Sequence, residues 1–84
     1  MKYLYFSAPW CGPCKLLAPK MQLVADEVPV EKIIVDDNVE TTQKFGVRNI
    51  PTVILIDENE NEIERFVGVH SVEFYLEKFE EHAN

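Results

Sequence analysis

Apolar positions recur along this chain in two rhythms, and their alternation lays out the predicted elements. Tyr3-Leu4-Tyr5-Phe6 is an unbroken apolar run and reads as a buried strand over residues 2–6. Ser7-Ala8-Pro9-Trp10 reads as a loop. Beyond it Leu17, Met21, Val24 and Val28 recur at helical spacing, which predicts a helix from about Cys11 to Val28. Pro13 lies in its first turn, where a missing N–H costs little. Pro19 removes a bond inside the helix and is expected to kink it. Pro29 stops it. Glu31-Lys32-Ile33-Ile34-Val35-Asp36 predicts a second strand, whose Ile-Ile-Val centre points to burial on both faces. Asp37 is placed to cap a short helix, with Glu40 completing a capping box. That helix is expected to reach about Phe45, with Gly46 just past its end. Val47-Arg48-Asn49-Ile50 leads as a loop into Pro51.

Thr52-Val53-Ile54-Leu55-Ile56 predicts a third strand, apolar on both faces. Asn59 and Asn61, among acids, mark a hairpin turn. Glu62 to Val67 alternates and reads as a fourth strand at a sheet edge. Gly68 breaks it, and Ser71 caps a last helix of about Val72 to His82, with Val72, Tyr75, Leu76 and Phe79 on one side. The order is β-α-β-α-β-β-α. Helical crossovers imply a parallel first pair with right-handed connections, and the closing hairpin adds antiparallel strands. The expected fold class is α/β: a mixed four-stranded sheet flanked by three helices, on both faces.

Eighty-four residues are expected to make a single domain, 1–84. With 46% hydrophobic residues the chain has the composition of an ordinary globular protein. The formal charge of −7 argues against nonspecific nucleic-acid binding and against anionic membranes. No segment reads as a signal peptide or a membrane span, so the expected location is cytoplasmic. In a reducing compartment, two close cysteines point to catalysis or metal binding before structure.

The only cysteines are Cys11 and Cys14, in Trp10-Cys11-Gly12-Pro13-Cys14-Lys15. A strand running into Cys-x-x-Cys at a helix mouth suits the making and breaking of disulfides. Side chains three apart share a helix face, with Cβ atoms about 5–6 Å apart. A disulfide wants about 3.5–4.5 Å, so a small adjustment closes the bond. Unsatisfied N–H groups and the positive dipole end favour a thiolate on Cys11, expected at the exposed end of the helix. Gly12 admits close approach of a substrate backbone, and Pro13 stiffens the turn. The only histidines, His70 and His82, lie too far apart to complete zinc-finger spacing with the cysteines, so no metal is expected. His70 reads as a surface histidine.

These residues carry a family resemblance. Trp10-Cys11-Gly12-Pro13-Cys14-Lys15, Pro19, Val47-Arg48-Asn49-Ile50-Pro51-Thr52 and Val67-Gly68 occur in the order and spacing of the thioredoxin family, across about residues 3 to 82. The chain resembles a short, minimal thioredoxin lacking the usual first strand and helix. The resemblance implies a protein-disulfide reductase of thioredoxin-like fold. Cys11 would attack, Cys14 would resolve the mixed disulfide, and no cofactor would be needed. It implies a cis Ile50–Pro51 bond held against the cysteines, with the Ile50 backbone free to pair with an extended substrate. Trp10, Ile50, Val67 and Gly68 would form an apolar rim for disulfide-containing protein substrates. A thioredoxin reductase or another thiol would supply electrons, and the protein would act as a monomer.

One departure concerns the strand before the cysteines. The family usually has a buried aspartate where this chain has Tyr5, and a tyrosine cannot be the same base near neutral pH. Tyr5 reads as filling space, or as orienting a water near Cys14. Lys32 matches the lysine that often partners the aspartate, but without it reads as a strand-end surface lysine. Lys15 would add positive charge near the thiolate or simply be solvated. The rival classes are a glutathione-linked glutaredoxin, suggested by the short length, and a non-enzymatic thioredoxin-fold subunit of a larger complex.

Overall fold

The computed structural model describes residues 1–83. The apolar runs become strands and the helical rhythm becomes helices, in the expected order. β1 is Lys2–Ser7, α1 Gly12–Ala25, β2 Val30–Ile34, α2 Val39–Lys44, β3 Thr52–Ile56, β4 Glu62–Val67 and α3 Val72–Ala83. A 3₁₀ turn, Val35–Asp37, joins β2 to α2. The sheet order is β2-β1-β3-β4. β1 runs parallel to β2 and antiparallel to β3, and β3 is antiparallel to β4.

Period-two alternation sorts the side chains of the central strands to two faces. Tyr3, Tyr5, Val53, Leu55 and Phe66 face α1, through Leu17, Met21 and Val24, and α3, through Tyr75, Leu76 and Phe79. Leu4, Phe6, Ile54 and Ile56 face the other way, onto Ile33 and onto Phe45 at the end of α2. β3 is buried along its whole length, which is why its sequence shows no alternation. Each large side chain removed from water there contributes about 1.5–3 kcal/mol.

Four local expectations are corrected. β2 is an edge strand with Glu31 and Lys32 exposed, so it is not buried on both faces. Val35 and Asp36 leave the sheet for the 3₁₀ turn, where a β-branched run cannot show its hydrogen-bonding fate in advance. Asp37 does not cap α2. Asn38 stands at the N-cap without a side-chain cap bond, and its amide donates instead to the Ile34 carbonyl (2.9 Å). α1 ends at Ala25, before Val28, where the last turn tightens: the Asp26 amide donates to the Leu23 carbonyl (3.3 Å) and the Glu27 amide to the Val24 carbonyl (3.0 Å), ahead of Pro29.

Other local signals act as the residues suggest. Ser71 Oγ accepts from the Phe74 amide (3.1 Å), the N-cap bond of α3. Gly46 adopts φ +61°, the left-handed conformation that ends a helix. The hairpin turn is held by Asp57, whose carboxylate accepts from the amides of Asn59 (2.8 Å) and Asn61 (2.9 Å). Its left-handed residue is Glu60 rather than either asparagine.

Tyr3 locks α3 onto the sheet. Its hydroxyl donates to the Tyr75 carbonyl (2.6 Å), and both residues are fully buried. Burial, then the neighbouring Tyr75 and the carboxylates of Glu64 and Glu81, hold the Tyr3 hydroxyl well above the ordinary tyrosine range. Burial also raises Tyr75. Both phenols therefore keep their protons in the folded state at a pH where the unfolded chain, near pH 10, has lost them. The unfolded state then binds fewer protons, so stability falls as pH rises above about 10. In urea titrations of the oxidised protein, the midpoint should decline above that pH. Tyr3→Phe should cost about 1 kcal/mol at neutral pH and flatten the alkaline decline. An equally steep decline in the variant would remove Tyr3 as its source.

Candidate active site

The site forms where β1 ends. After Ser7 the chain turns through Ala8-Pro9-Trp10, and the Cys11 amide donates to the Ala8 carbonyl (3.2 Å). Cys11 is the N-cap of α1, in extended conformation (φ −89°, ψ 115°), so the helix begins at Gly12. Its Sγ accepts from the Cys14 amide at 3.2 Å, as an N-cap oxygen would. Pro13 sits at the start of the helix, where no N–H is missed.

The Cα atoms of Cys11 and Cys14 are 5.3 Å apart, and the two sulfurs are joined in a disulfide. Cys14 is 2% exposed and Cys11 only 5%. The expected exposed Cys11 is therefore corrected: its sulfur turns inward as a cap and packs with Ala8, Val35 and Ile50. Gly12, Pro13 and Lys15 are exposed around it.

The second wall comes from the start of β3. The Ile50–Pro51 peptide is cis, and the Ile50 carbonyl oxygen lies 3.8 Å from Cys11 Sγ. The Gly68 amide donates to the Pro51 carbonyl (2.9 Å), which ties the end of β4 to this turn. Gly68 has φ +91°, and a Cβ there would meet nothing within 4 Å. Conformation, not room, demands glycine. Thr52 Oγ1 donates to the Asn49 carbonyl and closes the loop below.

Trp10 (67% exposed), next to Cys11 in the chain, and Val67 (54% exposed), in register with Thr52 beside the cis turn, are uncovered apolar surface, and Ile50 is half-buried. Trp10 is not loose. Its Nε1 donates to Asp36 Oδ2 (2.8 Å). Asp36 was not among the sequence candidates, since it closes an apolar strand signal and nothing local pairs it with a residue so distant in the chain. His70 stacks on Phe74 (4.3 Å between centroids), and its Nε2 lies 3.2 Å from the Val67 carbonyl, directly behind the rim.

Tyr5 does more than fill space. It is 2% exposed, and its hydroxyl donates to the Cys14 carbonyl (3.2 Å), fixing the backbone of the second cysteine. Lys32, in register with Tyr5 on the neighbouring strand, places its Nζ 5.8 Å from the Tyr5 ring centroid. A cavity of about 320 Å³ lies against Cys14, lined also by Ser7, Lys15, Ala18 and Lys32. A second, of about 270 Å³, is lined by Tyr5, Ala18, Met21 and Lys32 among others. Among the described residues no group of three His, Cys, Asp or Glu side chains is placed to hold a metal ion, and no helix is long and apolar enough to cross a membrane.

The geometry has clear relatives. The sequence model of the thioredoxin family matches residues 2–80. The thioredoxin of Bacillus subtilis (strain 168) is 41% identical over 81 residues, covering 92% of this chain and 77% of that protein. The thioredoxin of Chlamydia pneumoniae is 38% identical over 81 residues, covering 93% of this chain and 78% of its own length. Among solved structures, thioredoxin 1 from Thermosipho africanus TCF52B superposes with a TM-score of 0.84 at 33% identity, covering 99% of this chain and 94% of that one. A mutant thioredoxin from Halobacterium salinarum NRC-1 gives 0.89 at 32% identity, covering 99% and 74%.

Proposed function

The chain belongs to the thioredoxin family and is a protein-disulfide reductase, and from that premise we propose how its residues divide the work. Cys11 is the attacking thiol. In the reduced protein the Cys14 N–H and the helix N-terminus favour its thiolate over the free thiol, whose pKa is near 8.5. The thiolate attacks a substrate disulfide and forms a mixed disulfide. Cys14 then attacks Cys11, the substrate leaves reduced, and the Cys11–Cys14 disulfide is left for a reductant to open. The single observation that carries this reading is the Cys11 sulfur, bonded to Cys14, capped by the Cys14 amide and lying 3.8 Å from the Ile50 carbonyl.

The substrate is an extended protein segment bearing a disulfide. Trp10, Ile50, Val67 and Gly68 form the apolar rim that receives it, and Gly12 and Pro13 leave the helix mouth open to its backbone. The exposure of Trp10 and Val67 supports this, because uncovered apolar surface suits loosely specific contact. The Ile50 backbone offers a short strand-like pairing. Residues 1–84 act as one domain and as a monomer in the cytoplasm. Electrons come from a thioredoxin reductase or another thiol reductant. The charge of −7 supports neither nucleic-acid nor membrane partners.

The test is turnover of a disulfide-bonded protein such as insulin, with either a thioredoxin reductase and NADPH or glutathione as electron source. Turnover is expected with the reductase. Turnover driven by glutathione alone would favour the glutathione-linked reading, and none with any reductant would favour a non-enzymatic subunit.

A further inference from the structure

The Val67–Gly68 peptide joins two residues of the rim at the end of β4, which has no strand beyond it among the described residues. Its N–H donates to the Pro51 carbonyl (2.9 Å). In a trans peptide the C=O points the opposite way, so the Val67 carbonyl faces the open edge, away from β3. His70 Nε2 lies 3.2 Å from that oxygen. A carbonyl only accepts, so Nε2 carries the hydrogen, in the neutral ring or the charged one. One peptide unit is thus held at both ends, by Pro51 on the sheet side and by His70 on the open side. The imidazole is itself braced. It stacks on Phe74 (4.3 Å between centroids, 18° between planes) and meets Phe66 edge-on (6.4 Å, 74°).

We propose that His70 is a positioning residue for substrate capture: by clamping the Val67–Gly68 peptide it sets this side of the rim in its receiving shape before the substrate arrives. The inference rests on the reading of Val67 and Gly68 as rim residues. Gly68 is the reason a clamp is needed. It sits at φ +91°, and glycine has more backbone freedom than any other residue. Without the imidazole, water would take the Val67 carbonyl and the segment 67–70 would regain that freedom. Ordering it on binding opposes capture, and ordering it in advance removes that cost. The Nε2 bond ends on the Val67 carbonyl and not on a sulfur. The clamp therefore acts on docking of an extended protein segment and not on thiol exchange.

Single-turnover oxidation of the reduced protein over a range of insulin concentrations separates the two. It gives a half-saturating concentration and a maximal rate. His70→Phe keeps a ring to stack on Phe74 but has no N–H to donate. It should raise the half-saturating concentration about three- to tenfold, the loss of one hydrogen bond, and leave the maximal rate within about twofold. The Gly68 amide nitrogen, in the clamped peptide, should shift in the NMR spectrum. His70→Gln gives up the ring but keeps a side-chain N–H at a similar reach, and should recover most of the affinity. His82→Phe, the same replacement at the far end of α3, should behave as the parent. Val67→Ser tests the rim itself and should also raise the half-saturating concentration. With Val67→Ser impaired, the proposal is overturned by an unchanged half-saturating concentration or an unmoved Gly68 signal in His70→Phe. A rise that His70→Gln repeats in full, or one that His82→Phe matches, overturns it too. A Val67→Ser protein that captures insulin like the parent overturns the rim reading, and this role for His70 with it.

Discussion

Cys14→Ser should accumulate as a covalent adduct with its protein substrate, while Cys11→Ser should form none. Both variants should lose steady-state disulfide reduction by on the order of a thousandfold or more, because a serine hydroxyl is not ionised near neutral pH and cannot enter thiol exchange. The asymmetry follows from where the two sulfurs sit. Cys11 Sγ occupies the N-cap, accepts the Cys14 amide and faces the Ile50 carbonyl on the side where Trp10 and Val67 are uncovered. Cys14 lies a turn deeper, 2% exposed, with its carbonyl held by Tyr5. Serine at position 14 leaves the first attack intact and removes the second. Non-reducing electrophoresis and intact mass would show the adduct. An adduct through Cys14 in the Cys11→Ser variant would reverse the two roles.

The path from sequence to this site was short for some residues and closed for others. Cys11 and Cys14 announce themselves by spacing, and Ile50-Pro51 and Val67-Gly68 by a resemblance that brings distant segments together. β1 and β3 were legible because strands buried on both faces are written as unbroken apolar runs. β2 carries a similar apolar run but sits at an edge, and its burial is decided by a neighbour that local pattern cannot name. The bond from Trp10 to Asp36 and the contact of Lys32 with Tyr5 depend on strand register. Register is a tertiary fact: once β1 pairs with β2 and places Tyr5 opposite Lys32, the lysine has a ring to rest on. The inward turn of Cys11 was hidden for a related reason. Helical spacing places a residue on a face, but whether that residue is the first helical one or the cap is a matter of one dihedral.

Tyr75→Ala should bring the chain close to unfolding. Tyr75 is fully buried and meets the rings of Tyr3 (5.9 Å), Phe66 (6.2 Å) and Phe74 (5.5 Å). Truncating a buried aromatic costs about 3–5 kcal/mol in transfer and cavity terms. A chain of 84 residues has roughly 4–12 kcal/mol in total. The loss is therefore about a quarter or more of the whole, and the thermal midpoint should fall by more than about 12 °C. Tyr75→Phe separates packing from hydrogen bonding. It keeps the ring and leaves the Tyr75 carbonyl still accepting from Tyr3, and it deprives only the His70 amide of its partner (3.3 Å). That should cost about 1–2 kcal/mol. Urea unfolding of the oxidised proteins measures both. The ring also backs Phe66, one residue before Val67 at the rim, so the Phe variant, with that packing intact, should reduce substrate at the parent rate. A Tyr75→Ala protein within about 1 kcal/mol of the parent would mean that α3 is held by its other apolar residues and that this aromatic cluster is not the anchor of the fold.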